Sequence, residues 1–126
     1  MTKQIISTDT APSAIGPYSQ AVKTSDTIYL SGQIPLDPNT MMLVSGDFEA
    51  QARQVLSNLS AVSKAAGASL SNAVKLTVYV TDLANFDLLN NIMLEFIPEP
   101  FPARSAVQVS ALPKGAMLEI DAILTL

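Results

Sequence analysis

The stretch that decides the fold is FEAQARQVLSNLSAVSKAAGASLSNAVKLTVYV, residues Phe48–Val80, in which a helical repeat gives way to strand alternation. Asp47 and Glu49 put negative charge at the start of the predicted helix, and Gly67 follows its last turn as a C-cap candidate. The helix has one apolar face, made of Phe48, Ala52, Val55, Leu56, Leu59, Val62 and Ala66. The second half predicts a strand over Ala73–Val80, with Val74, Leu76, Val78 and Val80 on one side.

Strand and turn patterns flank this stretch on both sides. Before it we predict strands over Lys3–Ser7, Ser19–Thr24 and Thr27–Ile34, with Thr8–Tyr18 as a long loop. After it we predict a second helix from about Ala84 to Phe96, capped by Asp82 and ended by Pro98, and two strands, Ala103–Val109 and Ala116–Leu126. No repeat or linker divides the chain, so residues 1–126 are expected to form a single domain. The predicted class is α+β, a single mixed sheet packed by two helices.

The composition excludes several kinds of chemistry. The 126 residues include no His, no Cys and no Trp, which removes imidazole or thiolate zinc sites, Ser-His-Asp and Cys-His pairs, and disulfides. No Walker loop or dinucleotide fingerprint occurs, so neither a metal nor a cofactor is expected. The net charge of −4 and the scattered cations argue against a nucleic-acid partner. MTKQIISTDT lacks an apolar signal and no apolar run approaches a membrane span, so we expect a cytoplasmic protein without a membrane partner.

Low surface charge predicts self-association. Charged residues make up 14% of the chain, against about 25% in an average soluble domain, while 48% of the residues are hydrophobic. So few charges leave large apolar patches on a lone molecule, and such patches usually mark interaction surfaces. We therefore expect an oligomer.

The last two strands suggest a candidate site. If they form a hairpin through a loop at Ala111–Lys114, Ala106 lies opposite Glu119 and Arg104 lies opposite Asp121. Arg104 and Glu119 are then diagonal neighbours on one sheet face, about 7–8 Å apart at their backbones. By parity, the same face also carries Tyr29, Ser31, Gln33, Lys75, Thr77 and Tyr79.

Two interpretations of this face remain open. Arg104 and Glu119 could form an ordinary surface or interface ion pair. Alternatively, Arg104 could hold a small carboxylate through two hydrogen bonds while Glu119 orients a water against it. Gly32 could admit a ligand close to the backbone, but a glycine within a strand more often marks a bulge. For Tyr18 and Asn90, packing and tertiary hydrogen bonding are the simpler explanations.

Several motifs occur in order along the chain: APSAIGPYSQA (Ala11–Ala21), SGQIP (Ser31–Pro35), PARSAVQV (Pro102–Val109), LPKG (Leu112–Gly115) and LEIDA (Leu118–Ala122). In these motifs, and over almost its full length, the sequence resembles the RidA/YjgF family of reactive-intermediate deaminases. The sequence departs from the family pattern at Ala106, where many members have Cys, and at Met41 and Met93.

The resemblance implies a chorismate-mutase-like α+β sandwich and a homotrimer with active clefts between subunits. It also implies hydrolysis of 2-imino acids or their enamine tautomers, such as 2-iminobutanoate and 2-iminopropanoate, to 2-keto acids and ammonia. Pyridoxal-phosphate dehydratases release these imines. By the same resemblance, Arg104 binds the substrate carboxylate and Glu119 positions the attacking water. The residues that would line or support the cleft are Tyr18, Ser31, Gly32, Asn90 and Ala106.

Two other functions use the same features differently. A regulatory or metabolite-sensing trimer that binds 2-keto acids without turnover would use the same Arg104 clamp, so the sequence does not separate it from an enzyme. A ribonuclease or translation inhibitor, an association that the family has carried, is disfavoured by the net charge of −4 and the absence of His.

The first prediction concerns assembly. Because the chain is poor in charge, we expect stable self-association at micromolar concentration, and the resemblance implies that the oligomer is a trimer. Sedimentation equilibrium should then give about three times the 13.3 kDa of one chain. A mass near 13.3 kDa would contradict the expectation.

Overall fold

Six strands and two helices are present in the computed structural model, which describes residues 2–126. The helices are α1, Phe48–Ala65, and α2, Phe86–Phe96. Short 3-10 turns precede β4, α2 and β6 at Leu70–Asn72, Leu83–Asn85 and Pro113–Gly115. The strands are β1 (Gln4–Ile6), β2 (Ala21–Thr24), β3 (Thr27–Gln33), β4 (Ala73–Val80), β5 (Ala103–Gln108) and β6 (Leu118–Thr125). The predicted α+β class, with a single mixed sheet and two helices, is confirmed.

The sheet has the order β1-β2-β3-β6-β4-β5, and only β4 and β5 run parallel. The predicted hairpin of the last two strands is therefore wrong. β6 lies between β3 and β4, and β5 pairs with the other edge of β4. Parallel neighbours need a crossover, and α2 supplies it between β4 and β5. Because one face of β6 is fully apolar, β6 takes the centre of the sheet, whereas β5 remains at an exposed edge.

Helix α1 forms where its apolar face predicts. The Asp47 side chain caps it by accepting a hydrogen bond from Ala50 N at 3.1 Å, and Gly67 follows its end with φ of +81°. The face that α1 turns toward the sheet is buried, including Val55, Leu56 and Leu59. Among residues 2–126, neither helix combines the length and the apolarity that a membrane crossing requires.

Two strands depart from simple alternation, and each departure corrects a prediction. The register of β4 shifts between Ala73 and Lys75, so that Ala73 is buried and Val74 is 44% exposed. The register of β3 shifts between Leu30 and Gln33, so Gln33 is only 6% exposed instead of lying on the polar face. This second irregularity spans Gly32 and agrees with a bulge there.

We expect the central strand to dominate stability. Replacing the fully buried Ile120 by Ala should lower the free energy of unfolding by about 2–5 kcal/mol, because it leaves a cavity between sheet and helices. The matched control is Ile5→Ala on the edge strand β1, where the exposed side chain should contribute less than about 0.5 kcal/mol. Denaturant titration of both variants measures the difference, and equal losses would refute this account of the core.

Candidate functional site

Helix α2 holds the Arg104 guanidinium. Arg104 lies on β5 opposite Leu76, whose side chain is buried beneath the helices. Its Nη1 donates to Asn90 Oδ1 at 2.6 Å and contacts Met93 Sδ at 3.7 Å. Its Cζ lies 5.4 Å from the centroid of the Phe86 ring, within the range of a cation–π interaction. Phe86, Asn90 and Met93 are spaced four and three residues apart, so one face of α2 orients the guanidinium.

Glu119 lies on the other side of the sheet, which we call the open face because no helix covers it. It pairs with Tyr79 of β4 and lines a groove of about 370 Å³, the Glu119 groove, with Ile15, Tyr18, Gly32 and Lys114 among its walls. The carboxylate rests on the β3 backbone at Gly32. A Cβ there would overlap Glu119 Oε2 and lie 3.0 Å from Cδ, so only glycine permits this approach.

A buried amide fixes the wall that carries Tyr18. Gln20 accepts from Thr8 N and donates to Pro12 O, both at 2.7 Å, and thereby ties down the loop that precedes Tyr18. Ser31 Oγ donates to Ser19 O at 2.5 Å and joins this loop to β3. Gln20 was not among the residues predicted from the sequence. The signal that could have found it is an uncharged amide at the junction of a Pro- and Gly-rich loop with a strand.

Burial raises the pKa of Glu119 above its usual value, and the charge of Asp121 raises it further. Burial also raises the pKa of Asp121, but hydrogen bonds from Thr77 and Tyr79 and the charge of Lys75 oppose that rise. Glu119 is therefore a better proton acceptor than an ordinary exposed carboxylate. Among residues 2–126, no group of three or more His, Cys, Asp or Glu side chains is placed to hold a metal ion.

Arg104 and Glu119 do not share a face in one chain, which corrects the prediction from the sequence. Because β5 runs parallel to β4 with Arg104 opposite Leu76, Arg104 takes the helix side of the sheet, as does Ala106 opposite Val78. The ion pair proposed for Arg104 and Glu119 is therefore wrong within one subunit. The ion pairs found in residues 2–126 join Arg53 of α1 to Glu49 and Glu95.

The structure places the other predicted residues in two groups. Tyr18, which is half exposed, and Gly32 line the groove with Glu119, whereas Ser31 is not among the groove walls and is bonded to the loop at Ser19 O. Asn90 lies with Arg104, and Ala106 follows on the same side of β5. One chain thus carries two separate candidate groups, a guanidinium held by α2 and a carboxylate in the Glu119 groove.

A mixed sheet with two helices on one face defines a class of small α+β proteins. Residues 8–126 match the model of the family described as Endoribonuclease L-PSP, and the chain belongs to this family, which is the RidA/YjgF family that its motifs resemble. Human 2-iminobutanoate/2-iminopropanoate deaminase is 49% identical over 121 residues, which cover 96% of this chain and 88% of that protein.

Solved structures agree with this assignment. The crystal structure of RidA from the Antarctic bacterium Psychrobacter sp. PAMC 21119 superposes with a TM-score of 0.94 at 53% identity, covering 98% of this chain and 99% of that one. Escherichia coli TdcF with bound serine superposes with a TM-score of 0.91 at 41% identity, covering 98% of both chains.

The raised pKa of Glu119 gives a prediction about stability. A carboxyl whose pKa rises on folding binds its proton more tightly in the native state, so its contribution to the free energy of unfolding grows as the pH falls through the folded pKa. The Glu119→Gln variant has no charge to desolvate, and its thermal midpoint at neutral pH should equal or exceed that of the native protein. The gap should close as the pH is lowered toward the ordinary pKa of Glu. A lower midpoint at neutral pH would show instead that a partner stabilises the ionised carboxylate.

Proposed function

We propose that this protein is a deaminase that hydrolyses small 2-imino acids, or their enamine tautomers, to 2-keto acids and ammonia in clefts between the subunits of a homotrimer. The observation that carries the proposal is the separation of Arg104 and Glu119 onto opposite faces of the sheet. The two residues do not pair with each other within one subunit. A cleft that uses both must therefore combine the Arg104 side of one subunit with the Glu119 groove of the next.

Arg104 is suited to bind the substrate carboxylate. Asn90 and Met93 engage its Nη1 atom, which leaves the Nε and Nη2 edge of the guanidinium to form two parallel hydrogen bonds with a carboxylate. The Phe86 ring and the Asn90 amide fix the plane of the group, so little side-chain freedom is lost when the ligand binds. In this role Asn90 is a positioning residue.

Glu119 is suited to activate water. As the water oxygen attacks the carbon of the protonated imine, the carboxylate takes one of its protons, and a tetrahedral carbinolamine forms. Glu119 then returns the proton to the amino nitrogen and takes the hydroxyl proton as the C–N bond breaks, so that ammonia leaves and the keto group forms. A raised pKa brings Glu119 closer to the pH at which it works, which favours both transfers. The protonated imine is already electrophilic, so a chain without His or Cys can perform this reaction.

The remaining residues shape the cleft. Gly32 lets the Glu119 carboxylate lie against β3, and its backbone, with that of Ala106, forms part of the wall. Tyr18 closes the groove on the side of the loop. Ser31 contributes by holding that loop, since its hydroxyl donates to Ser19 O.

Two alternatives lack comparable support. A trimer that only binds 2-keto acids would need Arg104 but would give no role to a desolvated carboxylate facing the groove. An RNA partner would need clustered cations, whereas the chain has a net charge of −4 and its Arg53 is engaged by Glu49 and Glu95. We therefore propose small 2-imino and 2-keto acids as ligands, and no nucleic acid.

The activity is tested by coupling the purified protein to a threonine dehydratase and timing the appearance of 2-ketobutyrate and ammonia. The native protein should accelerate both. Arg104→Lys should lose most of this acceleration because Lys lacks the planar two-pronged donor, and Glu119→Gln should lose about 10²–10⁴-fold. The matched control is Arg53→Lys, the same change at a surface ion pair of α1, which should leave the rate unchanged. Acceleration that survives both site substitutions would refute the proposal.

Hybrid trimers test whether the site is shared. Arg104→Lys and Glu119→Gln subunits, co-expressed with different tags and purified through both, should recover activity that neither parent trimer has. Every hybrid contains one interface at which the native Arg104 of one subunit meets the native Glu119 of another. Hybrids as inactive as the parents would show that the two residues do not act across an interface.

A further inference from the structure

An apolar cavity of about 420 Å³ opens beside Arg104, between the C-terminal half of α2 and the segment that leads into β5. Arg104 and Asn90 form its polar end. Its apolar walls are Leu76, Met93, Leu94, Ile97, Phe101 and Pro102. The proposed reaction uses the guanidinium at one end of this cavity and leaves the rest unassigned.

The cavity matches an anion that carries an apolar tail. A guanidinium that binds a carboxylate fixes one end of the ligand, and the apolar walls offer a place for the other end away from water. Its volume equals that of roughly fourteen water molecules at about 30 Å³ each, which is more than a three- or four-carbon acid fills. The Met93 side chain is unbranched and flexible, so the cavity can adjust to tails of different shape.

The outer wall is too apolar to be left in water. Leu94 is 61% exposed and Phe101 is 54% exposed, and both border the cavity. An apolar group bound between them removes their surface from water, at about 25 cal/mol for each Å² buried. A ligand whose chain is too short to reach this wall obtains none of that gain.

We propose that this cavity receives the substrate side chain, and that the protein prefers 2-imino acids with bulky apolar side chains, such as the imine of leucine, over those with a methyl group. This inference rests on the proposed function, because Arg104 must hold the imino acid by its carboxylate in both. The wall residue Leu94 then determines specificity without taking part in the chemistry.

The test compares two imines made in situ by an L-amino-acid oxidase, one from alanine and one from leucine. We measure kcat/KM for the hydrolysis of each and report the ratio of leucine-derived to alanine-derived imine. In the native protein this ratio should exceed one. In Leu94→Trp, which fills the cavity, it should fall by about tenfold or more, since a single methylene in an apolar pocket is worth about 10–200-fold.

Two further variants make the result specific. Leu88→Trp is the matched control, because Leu88 is a partly exposed leucine of the same helix that does not line the cavity, and it should leave the ratio unchanged. Leu94→Lys replaces the apolar wall at this position by an ammonium group. An exposed helical position tolerates Lys, so this variant should fold and lower the ratio even if the Trp variant does not fold.

The possible failures are distinguishable. If the native protein accelerates neither imine, the proposed function is wrong and this inference falls with it. If it hydrolyses the alanine-derived imine at least as well as the leucine-derived one, or if both Leu94 variants keep the native ratio, only this inference is overturned. Loss of the trimer in both Leu94 variants would also overturn it, since a second copy of the chain would then cover the cavity.

Discussion

One row of β6 side chains, buried between the sheet and the helices, determines where the functional groups of this protein lie. Leu118, Ile120 and Leu124 are fully buried, and each such side chain stabilises the fold by about 1.5–3 kcal/mol. Because this row needs cover from helices, β6 occupies the centre of the sheet between β3 and β4. Successive residues of a strand point to opposite faces of the sheet. Glu119 and Asp121 alternate with the buried row and therefore face the open side.

The crossover through α2 places the opposite charge on the opposite face. It makes β5 parallel to β4 and brings Arg104 under α2, where Asn90 and Phe86 receive it. An ion pair within one subunit would hold the pKa of Glu119 low and would occupy the guanidinium. Separation by the sheet avoids both effects within one subunit.

Local sequence patterns predict most of the helices and strands of this fold, but they do not predict which strands pair. The periodicity and ends of α1 were predictable because one apolar face, the charge at its start and Gly67 all agree. Alternation shows which residues of a strand share a face, but it does not identify the neighbouring strand. The prediction failed for β5 because it took two consecutive strands for a hairpin. The Ala, Ser and Gln of β5 indicate an edge strand, and the helix before it indicates a parallel crossover. No feature of the sequence indicates the bulge at Val74, whereas a glycine within the strand indicates the one near Gly32.

The two carboxylates of β6 have different surroundings although they lie on one strand. Glu119 and Asp121 lie on the same face two residues apart, about 7 Å along the strand, so each charge disfavours the other. Thr77, Tyr79 and Lys75 surround Asp121 and favour its ionised form. Burial is the main influence on the pKa of Glu119, and no comparable hydrogen bond or positive charge lowers that pKa. The interactions that favour ionisation therefore act on Asp121 and are lacking at Glu119. Their different neighbours on β4, rather than their residue types, account for this difference.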